Sequence, residues 1–388
     1  MAVGWDDDPA VAAWAGLPPL AADATADACV VGLGGSGLAA IESLVERGLS
    51  VIGVDAGRVA AGAAGRNGGF LLGGAHAYLH SAIASWGQQP AVDLYRATLR
   101  ELDHLGELLG PEVVRRVGSI RLAGRPGAPE SAAEQAARTA ELADCAEHAA
   151  ALRAHGIAVE NYDGPLGQGL FLPDDAAMNP ARRALGLAAL LRHRAALYER
   201  TPVLGIESRQ VRTPAATISA GVVIVAVDGG LDALLPQLAG RVRTARLQML
   251  ATAPVAPGHL PCPVYGRWGY DYAQQDAAGC IFAGGGRDLF TEQEWTTDTE
   301  PTAPVQDYLD HLAARMAGQP VAVTHRWAAS VGFTPDGRAL CAQVADGVVA
   351  IGGYNGTGNL VGPVAARAAV ALALDGTPPP GYLRGAAG

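Results

Sequence analysis

Two apolar runs, Cys29-Val30-Val31 and Val51-Ile52-Gly53-Val54, bracket a glycine-rich turn and a helical segment over 38–47. Apolar runs without polar alternation read as strands buried on both faces, the habit of parallel sheets. The same pattern returns at 221–227, Gly-Val-Val-Ile-Val-Ala-Val, and at 348–353. Helical spacing dominates elsewhere. Residues 91–109 carry Val92, Tyr95, Leu99, Leu102 and Leu109 with charges between them, and 129–155 is an alanine-rich run closed by Gly156. Further helices are expected at 181–196, after Asn179-Pro180, and at 300–317 and 360–374, with short strands at 118–122 and 202–206. Residues 243–254, 263–273 and 279–284 read as three strands of a second, antiparallel sheet. The helical stripes, and the aromatics Trp268 and Tyr270, are expected in the core. Arg182, Arg183, Arg192 and Arg194 are expected on a solvated face, and His325 in a packing or capping role.

The first strand, turn, helix and second strand carry chemistry. The turn reads Gly32-x-Gly34-x-x-Gly37, and the second strand ends in Asp55, 18 residues beyond Gly37. Each part has a physical task in holding a dinucleotide. Gly32 permits a tight turn, Gly34 lets backbone approach a pyrophosphate, and Gly37 lets the helix pack against the strand. The helix N-terminus presents free N–H groups to phosphate, its dipole contributing up to ~1 kcal/mol. Asp55 can accept from ribose hydroxyls and would repel a 2′-phosphate, which disfavours NADP.

Composition narrows the chemistry further. The 388 residues suffice for two domains, and the net charge of −10 argues against general nucleic-acid binding. All 28 basic residues are arginine, so Schiff-base lysine chemistry and a Walker A lysine are excluded. The five cysteines, Cys29, Cys145, Cys262, Cys280 and Cys341, form no C-x-x-C pair, which fits a reducing compartment without a zinc site. The N-terminal stretch, with Asp6-Asp7-Asp8, does not read as a signal peptide, and no apolar run approaches ~20 residues; a cytoplasmic protein with no membrane span is expected. His76 and His80 stand four apart on a possible helix, but no third ligand accompanies them, and no metal site is assigned.

These residues together resemble the D-amino-acid oxidase superfamily of FAD enzymes, which includes glycine oxidase, sarcosine oxidase and γ-glutamylputrescine oxidoreductase. The resemblance covers nearly the whole chain. It is carried by the glycine turn with Asp55, Gly65-Arg66-Asn67-Gly68-Gly69, Met178-Asn179-Pro180, Val203 followed by Thr213, and the strand to Asp228-Gly229. Its remaining carriers are Trp327-Ala328-Ala329, Thr334-Pro335-Asp336-Gly337 and Gly353-Tyr354-Asn355-Gly356-Thr357-Gly358-Asn359. The arginine-asparagine-glycine-glycine segment is most similar to the γ-glutamylputrescine-type branch.

The resemblance implies an α/β fold, α+β overall. It combines a Rossmann-like FAD-binding domain of discontinuous segments (1–75, 165–230, 325–388) with a substrate domain of mainly antiparallel sheet and helices (76–164, 231–324). Gly32, Gly34, Gly35, Ser36, Gly37, Asp55 and Ala56 would hold the ADP half of FAD. Residues 64–69 would run beside the isoalloxazine, with Arg66, Asn67, Gly68 and Gly69 near the ring. Val203 would meet the adenine side through its backbone. Gly353, Tyr354, Asn355, Gly356, Thr357, Gly358, Asn359 and Leu360 would wrap the pyrimidine edge, with a helix N-terminus facing the position where charge develops on reduction.

Departures from the family pattern also inform. The position of the arginine that pairs with substrate carboxylate in glycine and D-amino-acid oxidases is Val331 here. The position of sarcosine oxidase's flavin-bearing cysteine lies near Ala329, so FAD is expected to be non-covalent. The oxygen-activating lysine of that relative has no counterpart. The implied reaction is hydride transfer from an amine-bearing carbon to flavin N5, giving an imine that water hydrolyses, with reoxidation by O2 or another acceptor. The expected partner is a small-molecule amine or amino acid. Candidate substrate contacts are Tyr265, Arg267, Trp268, Tyr270, Tyr272 and Arg287, with Arg66, Asn67, Arg287 and Tyr270 assigned to the catalytic site. An NAD-dependent dehydrogenase, and a flavin-binding protein without activity, are the alternative readings.

Overall fold

The computed structural model describes residues 3–385. The chain separates into two compact units, each assembled from three segments. The first takes Asp8–Arg66, Pro180–Ala245 and the chain from Ser330 onward; the second takes the chain up to Asp7, Asn67–Asn179 and Arg246–Ala329. These limits differ from those expected. Residues 67–75 and 165–179 belong to the second unit, because Phe70–Leu71 pairs with Ala176–Ala177 and Gly167–Leu172 adds to the second unit's sheet. Residues 231–245 belong to the first, where Leu231, Leu235, Leu238 and Val242 are buried in its core. The expected limits at 1 and 388 lie outside the described residues.

The first unit is built on a sheet in the order Leu340–Ala345, Val348–Gly352, Thr217–Val225, Ala24–Val31, Val51–Val54, Ala196–Tyr198. From Val348–Gly352 to Ala196–Tyr198 every neighbouring pair is parallel, and Val30 stands between Ile224 and Gly53. The apolar runs are buried as their lack of alternation predicts. The strand expected within 221–227 starts earlier, at Thr217, because its first half pairs antiparallel with Gln210–Arg212. The strand expected at 202–206 is displaced to Gly205–Glu207, which closes that hairpin. The principal helices of this unit are Gly35–Glu46, Pro180–Leu191 and Gly358–Asp375.

The second unit has a sheet in the order Val323–Phe333, Arg243–Thr252, Ile281–Gly285, Asp271–Gln275, Val264–Gly266, Ser119–Leu122, Gly167–Leu172, Glu160–Gly164. The single strand expected over 263–273 is two strands, joined by a turn in which Arg267, Trp268 and Gly269 are all left-handed, at φ 50°, 56° and 89°. Cross-strand register sorts the faces. Ile120, Val264, Ala273, Ala283 and Leu250 form one row across the sheet, and these residues pack on the helix Ala303–Ala317. The adjacent row, Arg121, Tyr265, Tyr272, Gly284 and Met249, points to the opposite face. Leu170, opposite Arg121, and Leu172 pack there with Tyr78, Ala91, Val92, Tyr95, Ala149 and Leu152 of the helical segments. The helices are Leu79–Trp86, Gln88–Leu109 and Ala132–Ala154, the last capped by Ser131 Oγ accepting from Glu134 N–H.

Candidate functional site

In the first unit the glycine turn has the geometry its spacing predicts. Gly32 is left-handed at φ 102° and donates its N–H to Val54 O at 2.8 Å; a Cβ there would lie 2.6 Å from Ala226 O. A Cβ on Gly37 would fall 1.8 Å from Gly32 O, so any side chain would force the helix off the turn. Gly34 stands at the N-cap of the helix Gly35–Glu46 with no side-chain cap, which leaves N–H groups of the first turn for an external acceptor. Asp55 Oδ2 accepts from Leu33 N–H and Oδ1 from Gly57 N–H, both at 2.8 Å. Burial pushes the Asp55 carboxyl above its ordinary value; the two N–H bonds oppose this, and the charge of Glu199 adds to it.

Two buried side chains that the sequence does not announce complete this unit's site. Arg183, expected on a solvated face, is 1% exposed. It lies on the inner stripe of Pro180–Leu191 with Ala184, Leu187 and Ala188, and its guanidinium fills the space a side chain at Gly35 would need, 2.2 Å from an ideal Cβ to Nη1. Its Nη2 donates to Asn359 O at 3.2 Å. A fixed cation therefore sits beside the starts of two long helices, Gly35–Glu46 and Gly358–Asp375, neither of which has a side-chain cap. Such a combination favours an anion with two phosphates. Glu199, fully buried, accepts from Trp14 Nε1 at 2.9 Å, Leu17 N–H at 3.0 Å and Val59 N–H at 2.9 Å. It fastens two loops to the end of the strand that carries Tyr198.

The C-terminal glycine turn is organised from within. Asp228, left-handed at φ 53°, accepts from the N–H groups of Gly353 at 2.8 Å, Gly332 at 3.1 Å and Tyr354 at 3.3 Å. Burial pushes its carboxyl up to about 6 against these three bonds. Asn355, predicted at the cofactor, spends its side chain on the turn. Its Oδ1 accepts from Thr334 N–H at 2.9 Å, and its Nδ2 donates to Gly353 O at 2.7 Å and Gly337 O at 3.0 Å. Its backbone N–H is also committed, donating to Gly332 O at 3.0 Å. Thr357 is similarly occupied, donating its hydroxyl to Tyr354 O at 2.8 Å. Val203 is half-buried against the core, Ala56 is exposed, and Arg66, half-buried, ends the short helix Ala63–Arg66. Gly65 is required there, since a Cβ would meet Ala60 O at 2.1 Å.

In the second unit Asn67 Oδ1 accepts from Gly69 N–H at 2.8 Å, and its backbone O accepts from Trp5 Nε1 at 2.9 Å, so its side chain shapes the turn. This segment lies over the sheet. Gly68 stands 3.2 Å, from an ideal Cβ, to the Tyr272 ring, and the Phe70 ring centroid is 6.3 Å from that of Tyr265. Trp268 and Tyr270, expected in the core, are each 38% exposed. The left-handed turn lifts them outward, and it is pinned by Trp268 N–H and Nε1–H donating to Glu141 and Asp144 and by Arg267 donating to Asp271 and Asp288. Arg287 holds its guanidinium 5.9 Å from the Tyr270 ring centroid and 5.3 Å from that of Trp295. Val331, which falls in the first unit, is half-buried in the strand Val323–Phe333 and offers no charge.

The cation that sequence reasoning missed in this unit is Arg121. It is 6% exposed, with its guanidinium carbon 4.2 Å from the Tyr78 ring centroid and 4.6 Å from that of Tyr265. Its Nε donates to Tyr265 Oη at 3.0 Å. Its short arginine-in-strand context, Ser-Ile-Arg-Leu, gives no local sign of this burial. His76 precedes the helix Leu79–Trp86 rather than sharing it with His80, so the two do not form a helical pair. Partial desolvation, then the charges of Arg287 and Arg121, hold the His76 imidazole below its ordinary pKa. His80 lies 3.6 Å from Glu147 and 3.8 Å from Asp144, and His325 lies 3.6 Å from Asp7. Among the described residues no group of three or more His, Cys, Asp or Glu could hold a metal ion, and no helix is long and apolar enough to cross a membrane.

Comparison with known proteins agrees with this architecture. The family model for FAD dependent oxidoreductases (DAO) matches residues 27–372. A probable oxidoreductase, OrdL, of Rhizobium meliloti is 26% identical, the match covering 92% of this chain and 85% of that protein. Among solved structures, glycine oxidase from Geobacillus kaustophilus superposes with a TM-score of 0.73 at 19% identity, over 92% of this chain and 96% of that one. L-proline dehydrogenase from P. horikoshii gives 0.74 at 16%, over the same shares. L-amino acid deaminase from Proteus vulgaris gives 0.68 at 19%, over 94% of each chain. At these identities the structural likeness is one of fold. The uncapped helix starts, the Gly32–Gly37 turn, Asp55 and the match across 27–372 together place the chain in the family of FAD-dependent oxidoreductases.

Proposed function

We propose that this oxidoreductase oxidises a carbon–nitrogen bond in a small amine-bearing substrate. The observation that carries this is the group on the second unit formed by the half-buried Arg287, the exposed Tyr270 and Trp268, and His76, whose imidazole is held below its ordinary pKa, in a family whose matched neighbours are named as acting on glycine, L-proline and L-amino acids. FAD would be held non-covalently, its pyrophosphate by the starts of Gly35–Glu46 and Gly358–Asp375 with Arg183 behind them, and its ribose by Asp55. When bound, the flavin supplies the two-electron acceptor. The chain's own residues do the rest. A substrate amine must lose its proton before the carbon can release hydride, and an imidazole neutral at neutral pH is suited to accept it at His76. Arg287 orients an anionic or π-rich portion of the substrate.

Anaerobic mixing of the yellow protein with N-methyl amino acids, D- and L-amino acids and primary amines tests this reading. Bleaching of the oxidised flavin's visible absorption by members of one class supports it; no bleaching by any member defeats it. Acid precipitation tests the attachment, with yellow colour expected in the supernatant and colour in the pellet contradicting a non-covalent cofactor.

A further inference from the structure

A buried guanidinium normally meets a carboxylate, because leaving the charge uncompensated is costly. Arg121 does not. Its Nε donates to Tyr265 Oη, and among the described residues its terminal nitrogens form no ion pair and no further hydrogen bond, meeting instead the rings of Tyr78 and Tyr265. Two carboxylates lie near but are committed elsewhere. Glu141 accepts from Gly124 N–H at 2.7 Å and from Trp268 N–H at 2.5 Å, while Asp175 accepts from Ser119 Oγ at 2.6 Å and Gly73 N–H at 2.8 Å. The rings of Tyr78 and Tyr265 flank the guanidinium and hold it in place. Tyr78 is itself backed by the His148 ring at a 5.0 Å centroid distance. Arg121 thus stands in the cross-strand row with Tyr265 and Tyr272, where the helix-covered part of that face gives way to the part lined by Tyr272 and Phe70.

Resting on the amine-oxidising reading, the geometry points to Arg121 as the anchor for a carboxylate on the substrate, in place of the arginine that Val331 displaces. Its two free terminal nitrogens match the two oxygens of one carboxylate. The substrate class is then an amine that carries a carboxylate, an amino acid or N-alkyl amino acid, and not a simple amine or polyamine. Tyr265 is the positioning residue, since its hydroxyl fixes the rotation of the guanidinium through Nε.

The test uses the flavin-loaded protein with Arg121→Met, Arg121→Lys and Tyr265→Phe variants. The first readout is propionate binding, followed through the flavin spectrum or calorimetry, with propylamine as the uncharged-end control. Propionate should bind to the wild type, Arg121→Met should weaken it roughly 10- to 100-fold, the range for a hydrogen bond to a charged group, and Arg121→Lys should recover part of the loss. Equal propionate affinity in wild type and Arg121→Met, or none in the wild type, overturns the proposal. The second readout compares glycine, sarcosine and proline with methylamine, dimethylamine and pyrrolidine. A higher KM for the amino acids alone in Arg121→Met supports the anchor; wild-type preference for the carboxylate-free amines overturns it. Failure of both substrate sets to bleach the flavin, with propionate still lost in Arg121→Met, defeats the amine reading and leaves the carboxylate site standing. Should Arg121→Met not fold, Tyr265→Phe and Arg121→Lys carry the same comparison, an unchanged propionate affinity in both counting against the proposal.

Discussion

Asp228→Asn exchanges one buried atom and isolates the pH dependence that a single carboxylate imposes on the first unit. Burial pushes this carboxyl up to about 6 from 3.8, although three backbone N–H groups donate to it. Over the interval between these values the native chain holds a proton that the unfolded chain has released, so stability falls as pH rises. The contribution is fully present below the unfolded value and is lost as pH climbs through about 6. Its full size is 2.303RT multiplied by the difference between 6 and 3.8, about 3 kcal/mol, of which about 2 kcal/mol falls between pH 4.5 and 8. Asparagine does not titrate. Its Oδ1 can keep Gly353 and Tyr354, but its Nδ2 then faces the Gly332 N–H, a donor against a donor, at about 1–3 kcal/mol at any pH. The variant should therefore be clearly weaker than wild type at pH 4.5, and the gap should shrink by about 2 kcal/mol at pH 8. Urea unfolding of both proteins with FAD in excess measures this, since all other titrating groups cancel in the difference. A gap constant to within about 0.5 kcal/mol across that range would refute the burial argument.

Three further outcomes follow from the geometry. Arg183→Met should lower FAD affinity by on the order of 10-fold or more while leaving the Asp55 contacts intact, read by equilibrium dialysis; unchanged affinity would show that the cation does not serve the phosphates. Gly37→Ala puts a Cβ 1.8 Å from Gly32 O and should displace the helix at about 1–3 kcal/mol, purifying with substoichiometric flavin, and a full complement of flavin would contradict the packing argument. Glu199→Ala strands Trp14 Nε1–H and the N–H groups of Leu17 and Val59, so its melting temperature should fall by an amount equivalent to at least about 3 kcal/mol, whereas a change below about 1 kcal/mol would mean that water replaces the carboxylate.

The parts of the fold visible in the sequence were those whose signal is local. Unbroken apolar runs gave the parallel strands, and three glycines with Asp55 gave the turn, because each acts within a few residues of itself. The two arginines that matter most were hidden for the opposite reason. Arg183 stands among alanines and leucines beside an exposed-looking Arg182, and only Gly35, distant in sequence, reveals that it points inward. Arg121 alternates with apolar neighbours as any half-buried strand residue does. The division of residues 263–273 into two strands was masked because its turn uses Arg267 and Trp268 at positive φ, positions where glycine or asparagine is the usual signal. The glycines around Asn355 announce a turn, but whether its asparagine side chain serves its own backbone or a ligand depends on Thr334 and Gly337, which only the folded chain brings alongside.

The contact between Arg183 and Asn359 spans 176 positions along the chain, and Asp228 reaches 125 positions to Gly353. Strand Thr217–Val225 has Ala24–Val31 on one side and Val348–Gly352 on the other. During synthesis, a ribosome that has passed Val225 has exposed a hydrophobic strand whose partner is still more than a hundred codons away. The phosphate-facing end of this sheet is thus among the last features the nascent chain can finish. FAD capture then acts as a checkpoint of completion, since a chain arrested before Gly358 has the first glycine turn but lacks the second helix start, and such fragments should be colourless and dependent on chaperones.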